Sequence, residues 1–120
     1  MEIVGSHHVA IGVKDLAGCT AFYTEVLGFR VLDTRPDFGI AGVWLQAGTQ
    51  QLHLVEDAGD APGSNHHFAM HVDDVEAFAV LLEQHGAHPR RLPYFVGAGR
   101  QVFVRDPSGN VVELNQPDRA

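Results

Sequence analysis

Apolar residues alternate with polar or small ones over residues 7–13, where Val9, Ile11 and Val13 share a face, and again over 66–72, where Phe68, Met70 and Val72 do. A period of two predicts a strand with one face on a core. After the first strand the period lengthens. Ala17, Ala21, Phe22 and Val26 recur at helical spacing, and Asp15 stands where an N-cap is expected, so a helix is predicted from there to about Val26. After the second strand, Asp73 with Glu76 reads as a capping box for a helix reaching about Gln84. Gly28 and Gly86 fall where helices end in a left-handed residue. Three short strands follow each helix, at about 29–35, 41–47 and 50–56 and then 89–92, 100–105 and 110–115. Ala47-Gly48-Thr49 and Asp106-Pro107-Ser108-Gly109 carry the turn chemistry that makes hairpins of the last two strands in each set.

The two halves are copies of one unit. His7-His8-Val9-Ala10-Ile11-Gly12-Val13 aligns with His66-His67-Phe68-Ala69-Met70-His71-Val72 at a constant offset of 59 residues. Val43-Trp44-Leu45 meets Val102-Phe103-Val104 at the same offset, and Leu52-His53-Leu54 meets Val112-Glu113-Leu114 at an offset of 60. An internal repeat of this length is one supersecondary unit used twice. The expected organisation is a single α+β domain of two tandem βαβββ modules forming curved mixed sheets. Module one spans 5–56, the Gly- and Pro-containing segment 57–64 links the modules, and module two spans 65–116.

Charge and composition narrow the partners. The chain has 8 Lys and Arg against 15 Asp and Glu, a formal net charge of −7, which repels a phosphate backbone. Nucleic acid and membrane surfaces are therefore excluded as expected partners, and a small-molecule substrate is expected. One cysteine, Cys19, forms no internal disulfide, and neither a leader pattern nor a run of ~20 apolar residues stands out, so a cytoplasmic location is the expectation. Eight histidines in 120 residues, several inside strand patterns, ask for a chemical reason.

Strand parity supplies one. His8 lies opposite the apolar face of the first strand, and His67 does the same on the fifth, with Ala10, Gly12 and Ala69 leaving space beside them. On 50–56, His53 points away from Leu52 and Leu54, and on the last strand Glu113 points away from Val112 and Leu114. A single strand histidine is commonly a hydrogen-bonded core group. Four polar groups at corresponding positions of two copies are not readily separate accidents. Three imidazoles and a carboxylate form a set suited to one divalent metal ion per site, Zn, Ni, Co, Fe or Mn, and unlike the thiolate sets of structural zinc.

The His-Val-Ala-Ile opening at 8–11, the Phe22-Tyr23-x-x-Val26-Leu27-Gly28-Phe29 helix end and the closing Phe103-Val104-Arg105-Asp106-Pro107-Ser108-Gly109-Asn110-Val111-Val112-Glu113-Leu114 resemble the vicinal-oxygen-chelate superfamily. That group includes glyoxalase I, fosfomycin-resistance thiol transferases, methylmalonyl-CoA epimerase, extradiol dioxygenases and bleomycin-resistance proteins. The resemblance runs from about residue 5 to 116. It implies the glyoxalase/bleomycin resistance/dioxygenase fold and metal ligands from the first and fourth strand of each module, here His8, His53, His67 and Glu113. At the position of His53 glyoxalases more often carry Glu or Gln, so this chain departs from their pattern there. It further implies a lyase or isomerase in which Glu113 or His53 carries a proton between adjacent carbons, and a homodimer whose sites are shared between subunits, His8 and His53 from one chain and His67 with Glu113 from the other.

Trp44, Tyr94, Phe95 and Phe103 are expected to wall the substrate, with His71 lining the site and Arg30, Arg35 and Arg100 as candidates to meet an anionic group. Composition marks 93–100 as a candidate lid. Three other readings compete: an extradiol-type dioxygenase using His8, His67 and Glu113, a fosfomycin-type thiol transferase, and a metal-free antibiotic-binding protein.

Overall fold

The structure, a computed structural model, describes residues 1–63 and 65–119. The chain divides into two compact units, Met1–Ala61 and Pro62–Ala120. The division falls within the expected linker 57–64, whose Ser64 lies outside the described residues.

In the first unit β1 (His8–Val13) leads into α1 (Leu16–Ala21), then β2 (Arg30–Val31), β3 (Gly42–Ala47) and β4 (Gln50–Glu56). The sheet order is β1-β4-β3-β2, with β1 parallel to β4 and the other neighbours antiparallel. Leu45, Leu52 and Leu54 are fully buried with Val13, Cys19 and Tyr23. Burying a side chain of this kind stabilises by roughly 1.5–3 kcal/mol. The Asp15 carboxylate caps α1 by accepting the Gly18 N–H at 2.8 Å.

The expected continuous helix changes pitch. From Phe22 to Val26 it is a π-helix, closed by Leu27 N–H donating to the Phe22 carbonyl at 3.2 Å. Thr20 and Thr24 hydroxyls donate to carbonyls four residues back, each at 2.7 Å, and such back-bonding loosens helical turns. The wider turn leaves Phe22 and Tyr23 both buried.

The second unit repeats the plan with β5 (His67–His71), α2 (Val75–Gln84), β6 (Arg90–Arg91), β7 (Arg100–Arg105) and β8 (Val111–Gln116), in the order β5-β8-β7-β6. Its core joins Val75, Ala79 and Leu82 of α2 to Val102, Val104, Val112 and Leu114. Two four-stranded mixed sheets of βαβββ order are thus present.

Several boundaries differ from expectation. The cap of α2 is Asp74, accepting the Ala77 N–H at 3.0 Å, and not Asp73 in a capping box. Glu76 does not turn back to the helix start, because Arg91 takes it in two hydrogen bonds of 2.9 Å and also reaches Glu83 at 2.8 Å. The edge strands β2 and β6 are two residues each, shorter than the 29–35 and 89–92 expected. Pro36, Pro89 and Pro93 bring no N–H to a ladder, which limits both edges. Among the described residues no helix is long and apolar enough to cross a membrane.

Candidate functional site

Cross-strand register decides which side chains share a face. In the first unit Trp44 pairs with His53 across β3 and β4, and His53 pairs with Ala10 across β4 and β1. His8, two residues before Ala10, is on the same face. The consequence is a stack: the His8 and His53 rings are 4.0 Å apart and 14° from parallel, and Trp44 lies 4.1 Å from His53 at 9°. Phe38 adds a tilted contact to Trp44 at 6.1 Å, and Arg35 lies 5.2 Å over the Phe38 ring.

His53 is only 6% exposed. Burial, then the nearby charges of His8, His7 and Arg35, hold its pKa below the ordinary histidine value. It is consequently neutral at neutral pH, the form in which imidazole binds a metal or accepts a proton. Its Nε2 lies 2.9 Å from Gln51 Oε1, an atom that only accepts, so Nε2 carries the hydrogen and Nδ1 the lone pair. His7 and His8 meet through their Nδ1 atoms at 2.9 Å. With His8 as donor there, its Nε2 lone pair is free and His7 orients the ring, the role a second partner plays for a ligating histidine.

In the second unit Phe103 pairs with Glu113 and Glu113 with Ala69, reproducing the register of Trp44, His53 and Ala10. His67 Nε2 donates to Glu113 Oε1 at 3.0 Å. The other oxygen, Oε2, accepts from Gln101 Nε2 at 3.2 Å and from Asn115 Nδ2 at 2.7 Å. Glu113 is buried, and these three donors replace its water. Phe103 stands edge-on to His67 at 5.1 Å, and Arg90 lies 5.8 Å over Phe103.

The structure therefore brings His8, His53 and Trp44 together in one unit, and His67, Glu113 and Phe103 in the other. Tyr94 and Arg100 form a separate pair, with the guanidinium 5.0 Å over the ring. His71 is exposed at the end of β5, opposite Asn115 in register. Among the described residues no group of three or more His, Cys, Asp and Glu side chains gathers at metal-binding spacing, and the four candidate ligands stand as two pairs, His8 stacked on His53 and His67 hydrogen-bonded to Glu113. Gln51, Gln101, Asn115 and Arg90 were not singled out from the sequence. Gln51, Gln101 and Asn115 share strand parity with His53, Phe103 and Glu113, but only the cross-strand register sets Gln101 near Glu113 and Arg90 opposite Phe103.

Comparison with known proteins places these features. A family model described as Glyoxalase/Bleomycin resistance protein/Dioxygenase superfamily matches residues 5–114. Mitochondrial methylmalonyl-CoA epimerase of Homo sapiens is 30% identical over 127 residues, covering 92% of this chain and 72% of that protein. Lactoylglutathione lyase of Salmonella typhimurium is 30% identical over 122 residues, covering 89% of this chain and 88% of that protein. Among solved structures, a protein from Bacillus anthracis assigned to the glyoxalase family superposes with a TM-score of 0.86 at 23% identity, covering 98% of both chains. An antibiotic binding protein from Streptomyces sp. CB03234 gives 0.76 at 28% identity, covering 98% of this chain and 100% of that one. A glutamate-to-glutamine mutant of the fosfomycin resistance protein FosX of Listeria monocytogenes, complexed with Mn(II) and 1S,2S-dihydroxypropylphosphonic acid, gives 0.80 at 19% identity, covering 98% of this chain and 95% of that one.

Proposed function

Because the chain belongs to the Glyoxalase/Bleomycin resistance protein/Dioxygenase superfamily, we propose that it is a metal-dependent lyase or isomerase moving a proton beside a carbonyl of a small substrate with two neighbouring oxygens. In this reading His8, His53, His67 and Glu113 are the ligands of one divalent ion. The observation that carries it is the spacing of the His67–Glu113 donor pair, which stands on the strands of the second unit that correspond to those of His8 and His53 in the first. His67 Nε2 and Glu113 Oε1 are 3.0 Å apart. Two donors each about 2.1 Å from one ion, at a right angle, lie about 3 Å apart, so this pair has the bite of a ligand pair. Two donors alone do not make a catalytic site, which takes three protein ligands and an open position, so the His8–His53 pair is required as well. We further propose a homodimer whose sites each take His8 and His53 from one subunit and His67 and Glu113 from the other.

A bound divalent ion would act as a Lewis acid toward an enolate or oxyanion on the two oxygens. The chain's own residues do the rest. His53, neutral at neutral pH, and Glu113, fixed by Gln101 and Asn115, are the groups able to take a proton from carbon and return it to its neighbour. Trp44 and Phe103 shield the donors from water on one side of each pair, while Tyr94, Arg100 and His71 meet the remainder of the substrate. The human and Salmonella relatives carry names for an epimerisation and a lyase reaction, which supports this reading.

The test is metal content of protein purified without chelator, followed by turnover of methylglyoxal with glutathione and by solvent deuterium incorporation at C2 of methylmalonyl-CoA. Bound metal near one equivalent per chain and turnover in either assay are expected. Absence of metal binding would overturn the reading. A second reading, a metal-free binder of a planar hydrophobic cation, is favoured by the flat Trp44–His53–His8 stack and by the Streptomyces relative. Saturable quenching of Trp44 by a cationic aromatic drug in the presence of chelator would support it.

A further inference from the structure

We propose that Asn115 is a positioning residue that couples the seating of the 94–99 loop to the orientation of the Glu113 carboxylate. Its amide nitrogen has two hydrogens, and both are used: one goes to Glu113 Oε2 at 2.7 Å and the other to the Ala98 carbonyl at 2.9 Å. A carboxylate and a carbonyl only accept, so it is the nitrogen of the carboxamide that faces both, and the side chain has one orientation. Loop and carboxylate thus share a single –NH2 group.

The loop end of this connection is built by residues that follow β8. Asp118 accepts the Tyr94 hydroxyl at 2.6 Å and the Gly97 N–H at 2.7 Å. Gly99 has φ +75, and a Cβ there would stand 2.6 Å from the Gln116 carbonyl, so only glycine lets the returning chain lie against the C-terminal segment. Phe95 pairs with Gly99 across the turn, leaving Phe95 and Val96 exposed at the tip. The expected lid 93–100 is therefore a clasped loop. At the carboxylate end, Asn115 shares Oε2 with the longer bond from Gln101, while Oε1 remains for His67.

Transmission follows from the chemistry of the amide. The last torsion of Asn is broad, so a carboxamide that loses one of two acceptors reorients at little cost. When the loop lifts, Ala98 leaves, Asn115 turns toward water, and the short bond on Oε2 is lost with it. Glu113 is then held by Gln101 and His67 alone and no longer presents Oε1 in one direction. The consequence for metal affinity rests on the reading of Glu113 as a ligand. The coupling of loop to carboxylate does not.

Asp118→Ala tests this from the far end, since Asp118 touches neither Glu113 nor His67 among the described contacts. In the metal-free protein, NMR of the His67 Nε2 proton reports its bond to Glu113, and amide exchange at Gly97 reports the loop. The expected result is faster Gly97 exchange together with a shifted or broadened His67 proton, and Mn2+ affinity lower by about tenfold, the effect usual for partners of metal ligands. Asn115→Ala should reproduce the His67 and Mn2+ changes, and the double variant should add nothing, because both substitutions cut one path. Faster Gly97 exchange with an unchanged His67 proton would overturn the coupling, as would a loop that stays protected in Asp118→Ala. Wild-type protein that binds no Mn2+ would sink the ligand reading instead, and the metal-free arm would still decide the coupling.

Discussion

Replacing Glu113 by Gln separates the charge of this group from its shape. The carboxylate accepts three hydrogen bonds in a buried position, from His67, Gln101 and Asn115. A glutamine keeps the volume, and its carbonyl oxygen at the Oε2 position still accepts from Gln101 and Asn115. Its amide faces His67, which answers by moving its proton to Nδ1 and accepting at Nε2. Charged hydrogen bonds become neutral ones while the desolvation of a buried charge is relieved, so the metal-free protein should lose only about 1 kcal/mol, or about 4 °C in Tm. On the proposed ligand set the only anionic ligand is then gone, and a loss of metal affinity of at least about 100-fold, or about 2.7 kcal/mol, is expected. Thermal melts show both effects. At a metal concentration about 100 times the wild-type Kd, wild type should gain about 2.7 kcal/mol and melt about 10 °C higher. The variant, near its own Kd, should gain about 0.4 kcal/mol and less than about 2 °C. Glu113→Ala is the control for packing: it leaves three donors facing a void, costing about 1–3 kcal/mol for each that stays unpaired. Equal metal-induced shifts in wild type and Glu113→Gln would refute the assignment of Glu113 as a ligand.

Trp44 is the chain's single tryptophan and lies flat on His53, so His53→Ala should change its emission and abolish any response to added metal, and an unchanged spectrum would contradict the stack. Leu82, fully buried in α2, should cost about 2–5 kcal/mol when cut to Ala, whereas exposed Val80→Ala should move the melting curve by less than about 0.5 kcal/mol. The loop clasp should be sensitive to acid. The Tyr94 hydroxyl first, and then the Gly97 N–H, hold the Asp118 carboxyl below its ordinary value. A carboxyl depressed in the folded state contributes stability that is present above its unfolded pKa and is lost as pH falls through the folded one. Gly97 amide protection, corrected for intrinsic exchange, should therefore hold at neutral pH and disappear below the ordinary aspartate range, and protection that survives there would refute the clasp.

Side-chain alternation made most of the site face legible. His8, His53, His67 and Glu113 lie on the faces that parity gave them, because a period of two leaves no choice once the apolar face is known. The pairing of His53 with Trp44 and of Glu113 with Phe103 also follows from the repeat, since both hairpins have the same register. The α2 cap was readable too: Asp15 aligns with Asp74 at the offset of 59, and each caps the residue three positions on. A capping-box pattern beginning at Asp73 hid this. What was not legible depends on contacts between residues far apart in the chain. Gln101 and Asn115 are ordinary polar strand residues until the β7–β8 register sets them beside one carboxylate. Asp118 lies past the end of the repeating unit, so the duplication gave no hint of its part in the loop.

The duplication has also diverged in a chemically directed way. At equivalent strand positions the first unit carries two imidazoles in an aromatic stack, and the second an imidazole and a carboxylate held by carboxamides. Burial lowers the pKa of His53, so that imidazole is suited to being neutral, whereas Glu113 at the equivalent position is a carboxylate. A divalent ion held by both pairs would keep one net positive charge, whereas a second carboxylate in place of His53 would cancel it. Residual positive charge would strengthen the Lewis-acid stabilisation of an enolate or oxyanion on a neighbouring oxygen. On the proposed ligand set the stack and the hydrogen-bonded carboxylate would serve one electrostatic end. Trp44 and His8 cover the faces of the His53 imidazole, and Gln101 and Asn115 hold the Glu113 carboxylate in place.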